Sequence, residues 1–243
     1  MSNAETDFTL RAYQVMIEAL MARNYAVRGY AGAEASNRHL ILRHDVDFDL
    51  DAAIGMAETE AKQGWRATYF VLLRTEFYNP LSQAGTAAVR QLINLGHDVG
   101  LHFDASLYAG DEAGLISAVK SESATLEQIS DAPVTCFSLH RPHPDMLDNG
   151  FEVDGLINAY APRYFRDFGY CSDSRGAWHH GHPLDHAAVK QGSALQLLTH
   201  PIWWIESGDI PSDKCSAFLE RRQAILDQEM QRNCQAYEGR RSE

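Results

Sequence analysis

Apolar positions along the chain follow two alternating patterns. Leu10, Tyr13, Met16, Ile17, Leu20 and Met21 recur every three or four residues and predict a helix over about 8–21, ended by Gly29. The short apolar run HLILRHD (39–45) lacks that spacing and reads as a buried strand. The alternation continues with a helix over Leu50–Lys62 stopped by Gly64, a strand at ATYFVLL (67–73), and a helix over Ala84–Leu95 closed by Gly96. A strand at HDVGLH (97–102), a helix near Ala113–Ile129 and a strand at TCFSLH (135–140) follow. Beyond Arg141, glycine, proline and aromatic residues predict short strands joined by long loops. LQLLTH (195–200) is the last clear strand, and an amphipathic helix from about Ser212 to Ala236 closes the chain.

Alternating strands and helices predict a mostly parallel sheet, and the number of units favours a barrel. There is no repeat, low-complexity tract or linker, so the 243 residues read as one domain, 1–243, with its core at about 38–205 and extra helices at both ends. In such barrels the chemistry sits at the C-terminal ends of strands. The polar residues fall there: Asp45 and Asp47, His102, His140 with Arg141, and His200 each close an apolar strand.

Composition narrows the classes. An apolar content of 45% with 22% charged residues is that of a globular chain. The 21 basic against 33 acidic residues give a net charge of −12, which argues against nucleic acid as the main partner and leaves room for a local basic patch facing an acidic sugar. No run approaches the ~20 apolar residues of a membrane span, and no basic stretch followed by an apolar run marks a secretory signal. Cys136, Cys171, Cys215 and Cys234 are scattered and read as reduced thiols, making the cytoplasm the expected compartment.

Five clusters can carry chemistry. In RHDVDFD, side chains alternate along a strand, so Asp45 and Asp47 share one face while His44 and Val46 share the other. Two carboxylates on one face repel unless a cation lies between them or one is protonated. The competing reading is an aspartate turn into a helix cap, which Asp49 or Asp51 fits better than Asp45. In GHDVGLHFD, His97 and His102 face opposite ways, and His102 at the strand end is the better ligand; histidine beside carboxylates suits Zn²⁺ and its neighbours. In SLHRPHP, Arg141 either clamps a carboxylate or makes a surface ion pair. YCSDSRGAW supplies Asp173 and Trp178, and LLTHPIWW supplies His200 and the Trp203–Trp204 pair, either a sugar-facing surface or core. The run WHHGHP (178–183) is a secondary metal candidate in an irregular loop.

Taken in order, from about Leu40 to Trp204, these clusters resemble the NodB-homology polysaccharide deacetylases of carbohydrate esterase family 4, and most of all their WbmS-like branch, associated with bacterial surface-polysaccharide and lipopolysaccharide biosynthesis loci. The resemblance implies a distorted (β/α) barrel and a divalent metal, usually Zn, with Co, Ni or Fe as alternatives. It implies an N-acetylated saccharide as substrate. Asp45 matches the catalytic base, Asp47 the metal-binding aspartate, His102 the first metal histidine, Arg141 the arginine that orients the base, Asp173 the partner of the last histidine, and His200 that histidine, the general acid. Trp178 and Trp203 are the expected sugar-facing residues.

Two departures stand out. Val46 separates the usually adjacent aspartates, so the base and ligand roles of Asp45 and Asp47 are exchangeable. The second metal histidine is Ser106, a poor zinc ligand. His140 closes the strand after the His102 unit, where barrel neighbours bring their ends together, and an Asp47–His102–His140 metal site is therefore expected, with Asp104 and His182 as fallbacks. Two other functions compete: another carbon–nitrogen hydrolase, such as a cyclic-amide or ureide hydrolase, on the same scaffold, and a non-catalytic carbohydrate-binding relative that has lost its metal.

Overall fold

The computed structural model describes residues 8–239 apart from 110, 149, 150 and 180. His180, part of the WHHGHP run, therefore lies outside the described residues. The strands are β1 (Ala26–Val27), β2 (His39–Val46), β3 (Thr68–Leu72), β4 (Asp98–Phe103), β5 (Cys136–Leu139), β6 (Ile157–Asn158), β7 (Gly169–Ser172) and β8 (Leu195–Thr199). The helices are α1 (Leu10–Met21), α2 (Leu50–Lys62), α3 (Gln83–Asn94), α4 (Glu112–Ser130), α5 (Pro144–Asp148), α6 (Pro162–Phe165), α7 (Ala187–Gln191), α8 (Pro201–Ile205) and α9 (Pro211–Asn233).

The sheet runs β6-β5-β4-β3-β2-β8-β7 with every pairing parallel, and β1 pairs with the start of β2 before β3 joins it. Parallel strands need crossovers and are covered on both faces, so their sequences are nearly continuously apolar. β3 and β8 are buried at every position. The edge strands β6 and β7 share no backbone ladder. Instead, Gln196 on β8 reaches across the concave side and donates to the carbonyls of Ala159 (3.3 Å) and Tyr164 (3.0 Å), just past β6, while the Tyr30 hydroxyl donates to its Oε1. The sheet is thus curled into an open, distorted (β/α) barrel. Ile41, Phe70, Cys136, Ala159, Tyr164 and Phe168 pack in a small core with Tyr30, and the larger core lies mainly beneath the helices, with Tyr13, Ile17 and Leu20 of α1 against Ala53, Met56 and Ala57 of α2.

The capping chemistry explains the start of α2 and decides one ambiguity. Asp49 is its N-cap and accepts from the amides of Asp51 and Ala52. Asp45 and Asp47 do no capping and point elsewhere. The first helix ends at Met21, as its pattern predicts, but the stop is not Gly29: Ala22 is its C-cap and Asn24 turns the chain in a left-handed conformation (φ 64°), which asparagine tolerates. Among the described residues no helix is long and apolar enough to cross a membrane.

Candidate active site and metal centre

Residues 43, 45 and 47 alternate onto the concave face of β2, and the ends of β4, β5 and β8 bring histidines to meet them. Asp47 Oδ1 lies 3.1 Å from His102 Nε2 and 3.3 Å from His140 Nδ1, and the two ring nitrogens are 3.1 Å apart. The three atoms form a nearly equilateral triangle. A tetrahedral ion with bonds of roughly 2.0–2.1 Å sets its ligand atoms about 3.3 Å apart, so the triangle has the dimensions of one face of such a coordination shell. Asp47 Oδ1 is buried and makes no well-aligned hydrogen bond, although two nitrogens crowd it. A buried carboxylate oxygen in that state calls for a cation. On its far side His102 Nδ1 meets Ser138 Oγ at 2.6 Å, a bond that fixes the ring and leaves Nε2 free to coordinate. The donor set of one carboxylate and two imidazoles suits Zn²⁺ and neighbouring divalent ions.

Asp45 stands beside this triangle, its Oδ2 3.7 Å from His102 Nε2. It is held by a residue that the sequence reading overlooked. Arg43 Nε and Nη2 donate to Asp45 Oδ1 (2.9 Å) and Oδ2 (2.8 Å), a bidentate pair between side chains that are almost wholly buried. The guanidinium lies 4.3 Å from the Tyr160 ring centre and 5.5 Å from that of Phe70. Gly100 makes room for this packing, because a Cβ there would sit 2.6 Å from the Phe70 ring. Burial alone would raise the Asp45 pKa, but the Arg43 charge beside it, with His102 and the hydrogen bonds, holds it below the usual carboxylate range. Asp47 is likewise depressed: the polar nitrogens and charges of the histidines crowded around it outweigh its burial.

His200, directly after β8, closes the other side, with Nε2 3.7 Å from Asp47 Oδ2. Its Nδ1 meets Asp173 Oδ1 at 2.6 Å, and Asp173 also accepts from the His200 backbone amide and from Trp204 Nε1 (2.7 Å). Asp173 is fully buried. Burial disfavours a charged imidazole, yet the Asp173 carboxylate, backed by Asp47 and Asp45, outweighs it and pushes the His200 pKa up to about 9. Asp45, Asp47, His102, His140 and His200 all face one cleft of about 1450 Å³.

Several candidates sit elsewhere. Arg141 does not reach Asp45: it is 73% exposed, adopts a left-handed backbone (φ 46°) and donates to Asp104 Oδ2 at 2.9 Å. The turn immediately after His140 swings it away, and Arg43 occupies the clamp position instead. Its signal was the period-two alternation that links residues 43, 45 and 47. Ser106 bonds Asp104 rather than the triangle, so neither joins the cluster. His182 caps the short turn at Pro183–Asp185 through Nδ1. Trp203 lines the cleft; Trp178 does not, and packs instead against Phe8 and Trp204.

No protein-family model matches the chain, and no curated protein matches it. Among solved structures it is similar to a family 4 acetyl xylan esterase from Clostridium thermocellum in complex with a cobalt ion, at 16% identity over 76% of this chain and 84% of that one, with a TM-score of 0.44. It is also similar to a family 4 carbohydrate esterase from Bacillus anthracis, at 14% identity over 87% and 86% of the two chains, TM-score 0.43. A third likeness is to a family 4 pseudoenzyme from Bacillus anthracis, at 10% identity over 82% and 64%, TM-score 0.39. Similarity this remote carries no functional weight.

Proposed function

We propose that the protein is a metal-dependent deacetylase that removes the N-acetyl group from a saccharide, one belonging to a bacterial surface polysaccharide or its precursor. The observation that carries this reading is the Asp47–His102–His140 triangle, flanked by a clamped carboxylate on one side and a carboxylate-held imidazole on the other. Binding alone needs no such acid and base pair. His140 in the triangle would supply the third ligand that Ser106 does not, and this weighs against a metal-free binding protein.

Asp47, His102 and His140 would hold the ion, Zn²⁺ being the best match to the donors. The chemistry available with a divalent ion bound there is Lewis acidity, which polarises an amide carbonyl and lowers the pKa of the attacking water. Asp45 then accepts that water's proton. Arg43 keeps it ionised and fixes the direction of its oxygens, the two requirements of a general base. His200, charged and oriented by Asp173, gives a proton to the departing amine nitrogen, so that the bond broken is the amide C–N and the products are acetate and a free amine. Because Asp45 carries the arginine clamp and Asp47 sits inside the triangle, the geometry favours Asp45 as base and Asp47 as ligand. All four cysteines are free, which fits a reducing compartment such as the cytoplasm.

The direct test is acetate release from an N-acetylated hexosamine oligosaccharide. Chelation is expected to abolish it, and Zn²⁺ or Co²⁺ to restore it. Full activity in metal-free protein contradicts the reading.

A further inference from the structure

Among the described residues, four that are not glycine have left-handed backbone: Asn24, Asp131, Arg141 and Arg175. Asparagine and aspartate adopt that conformation readily, whereas a long side chain does so at a cost that only its surroundings can impose. Both arginines line the cleft. Arg141 (φ 46°) directly follows His140, and Arg175 (φ 59°, ψ 24°) lies two residues past Asp173, so each is set beside a residue of the site. A third arginine lining the same cleft, Arg74, is fixed by Glu122 (Nε to Oε1 3.1 Å) and lies 4.9 Å from the Tyr108 ring centre, yet remains 58% exposed.

These cations are only partly engaged by protein carboxylates: Arg74 pairs with Glu122 and Arg141 with Asp104, each leaving most of its side chain exposed. Asp45 is taken by Arg43 and Asp47 by the histidine triangle. Arg141 meets Asp104 through a single nitrogen, leaving the rest of its guanidinium open to solvent. Arg175 is exposed and makes no ion pair among the described residues. In a chain of net charge −12, guanidinium groups gathered at one cleft have a specific use, since their planar fork matches carboxylate and phosphate oxygens.

We propose that the Arg74, Arg141 and Arg175 rim binds an anionic group, carboxylate or phosphate, carried by the substrate saccharide, with Arg175 as its principal contact. The substrate class is then an acidic or phosphorylated N-acetylated sugar rather than a neutral glycan. This rests on reading the cleft as a deacetylase site, and the test separates the two.

Calorimetry on the full chain with added Zn²⁺ would compare three probes: N-acetylglucosamine, its 1-phosphate, and its 6-carboxylate (the uronic acid). At least one anion should bind about tenfold more tightly than the neutral sugar, the scale of one charge-assisted hydrogen bond. Whichever of the two prevails identifies the source of the charge. Arg175→Asn, which keeps a residue tolerant of left-handed backbone, should shrink that advantage to below about threefold, while Arg175→Lys should keep most of it. Equal binding of all three probes, or an advantage that Arg175→Asn leaves intact, overturns the proposal. Acetate release is scored separately on the same probes. An anion preference without acetate release retains the rim assignment and removes the deacetylase reading; acetate release without a preference does the reverse.

Discussion

Strand β2 carries two buried clusters of charge, one on each face, and only one of them behaves like a centre for chemistry. On the helix-covered face, the Glu60 carboxylate of α2 accepts from the hydroxyls of Tyr13 and Tyr69 and meets His44 Nε2 at 2.8 Å, with His97 Nδ1 3.8 Å away. His44 passes its other nitrogen to Thr199 Oγ1 at 2.7 Å, tying β2 to β8. Every member is buried and both Glu60 oxygens are engaged. On the concave face Asp47 has comparable histidine neighbours, yet its Oδ1 makes no aligned hydrogen bond and the cluster opens onto the cleft. Histidine next to carboxylate is therefore not the signature of a site. What separates the two faces is an unsatisfied buried oxygen and access to substrate. A closed and satisfied network rigidifies the strand, whereas an open one with an unsatisfied buried oxygen has the polar capacity that a bound cation would use.

The sharpest contrast comes from paired substitutions on the two faces. Asp45→Asn should lower turnover by about 10²–10⁴-fold, the scale of a general base, while bound metal stays at the wild-type level. Loss of metal in that variant would instead make Asp45 a ligand and pass the base role to Asp47. On the other face, Glu60→Ala leaves two tyrosine hydroxyls and the Nε2 of His44 unpartnered and should cost about 3–5 kcal/mol of stability by denaturant unfolding, with metal content per folded chain unchanged.

The pH dependence of the Glu60 cluster sharpens the same contrast at smaller amplitude. Burial pushes the Glu60 pKa up, but the His44 charge and hydrogen bond, with His97 and Tyr13, more than offset it, so the folded value lies below the ordinary one. A depressed carboxylate contributes its stability in full above the ordinary glutamate pKa, about 4.3, and that contribution drains away as the pH falls through the folded value. Wild-type protein should therefore lose stability on acidification below about pH 4 more steeply than Glu60→Gln. Parallel acid profiles for the two proteins would show that Glu60 is not ionised in the fold.

Legibility in the sequence tracks regularity of the backbone. The units from β2 to β5 announce themselves because each strand is a short apolar run and each helix has a periodic face ended by glycine or a cap; α2 occupies Leu50–Lys62, as its pattern predicts. Alternation along β2 places Asp45 and Asp47 together, and the same rule applied two residues earlier points to Arg43. An arginine inside an apolar strand carries no local mark of its partner, and only the alternation shared with Asp45 points to it. Arg141 misled for the opposite reason. It occupies the motif position, but the turn ahead of Pro142 puts Arg141 itself in left-handed backbone and directs its side chain outward. Beyond residue 140 the elements are short and held by particular contacts, such as Gln196 to Ala159 and Tyr164, that no periodicity foretells.

If Asp47, His102 and His140 form one metal centre, as proposed, the zinc content of purified His140→Ala should follow that of His102→Ala when both are compared with wild type by elemental analysis. Wild type should carry about one ion per chain, and the two variants should lose it to the same extent, since each removes one of three protein ligands. A His140→Ala protein that keeps its zinc while His102→Ala loses it would contradict a three-residue centre.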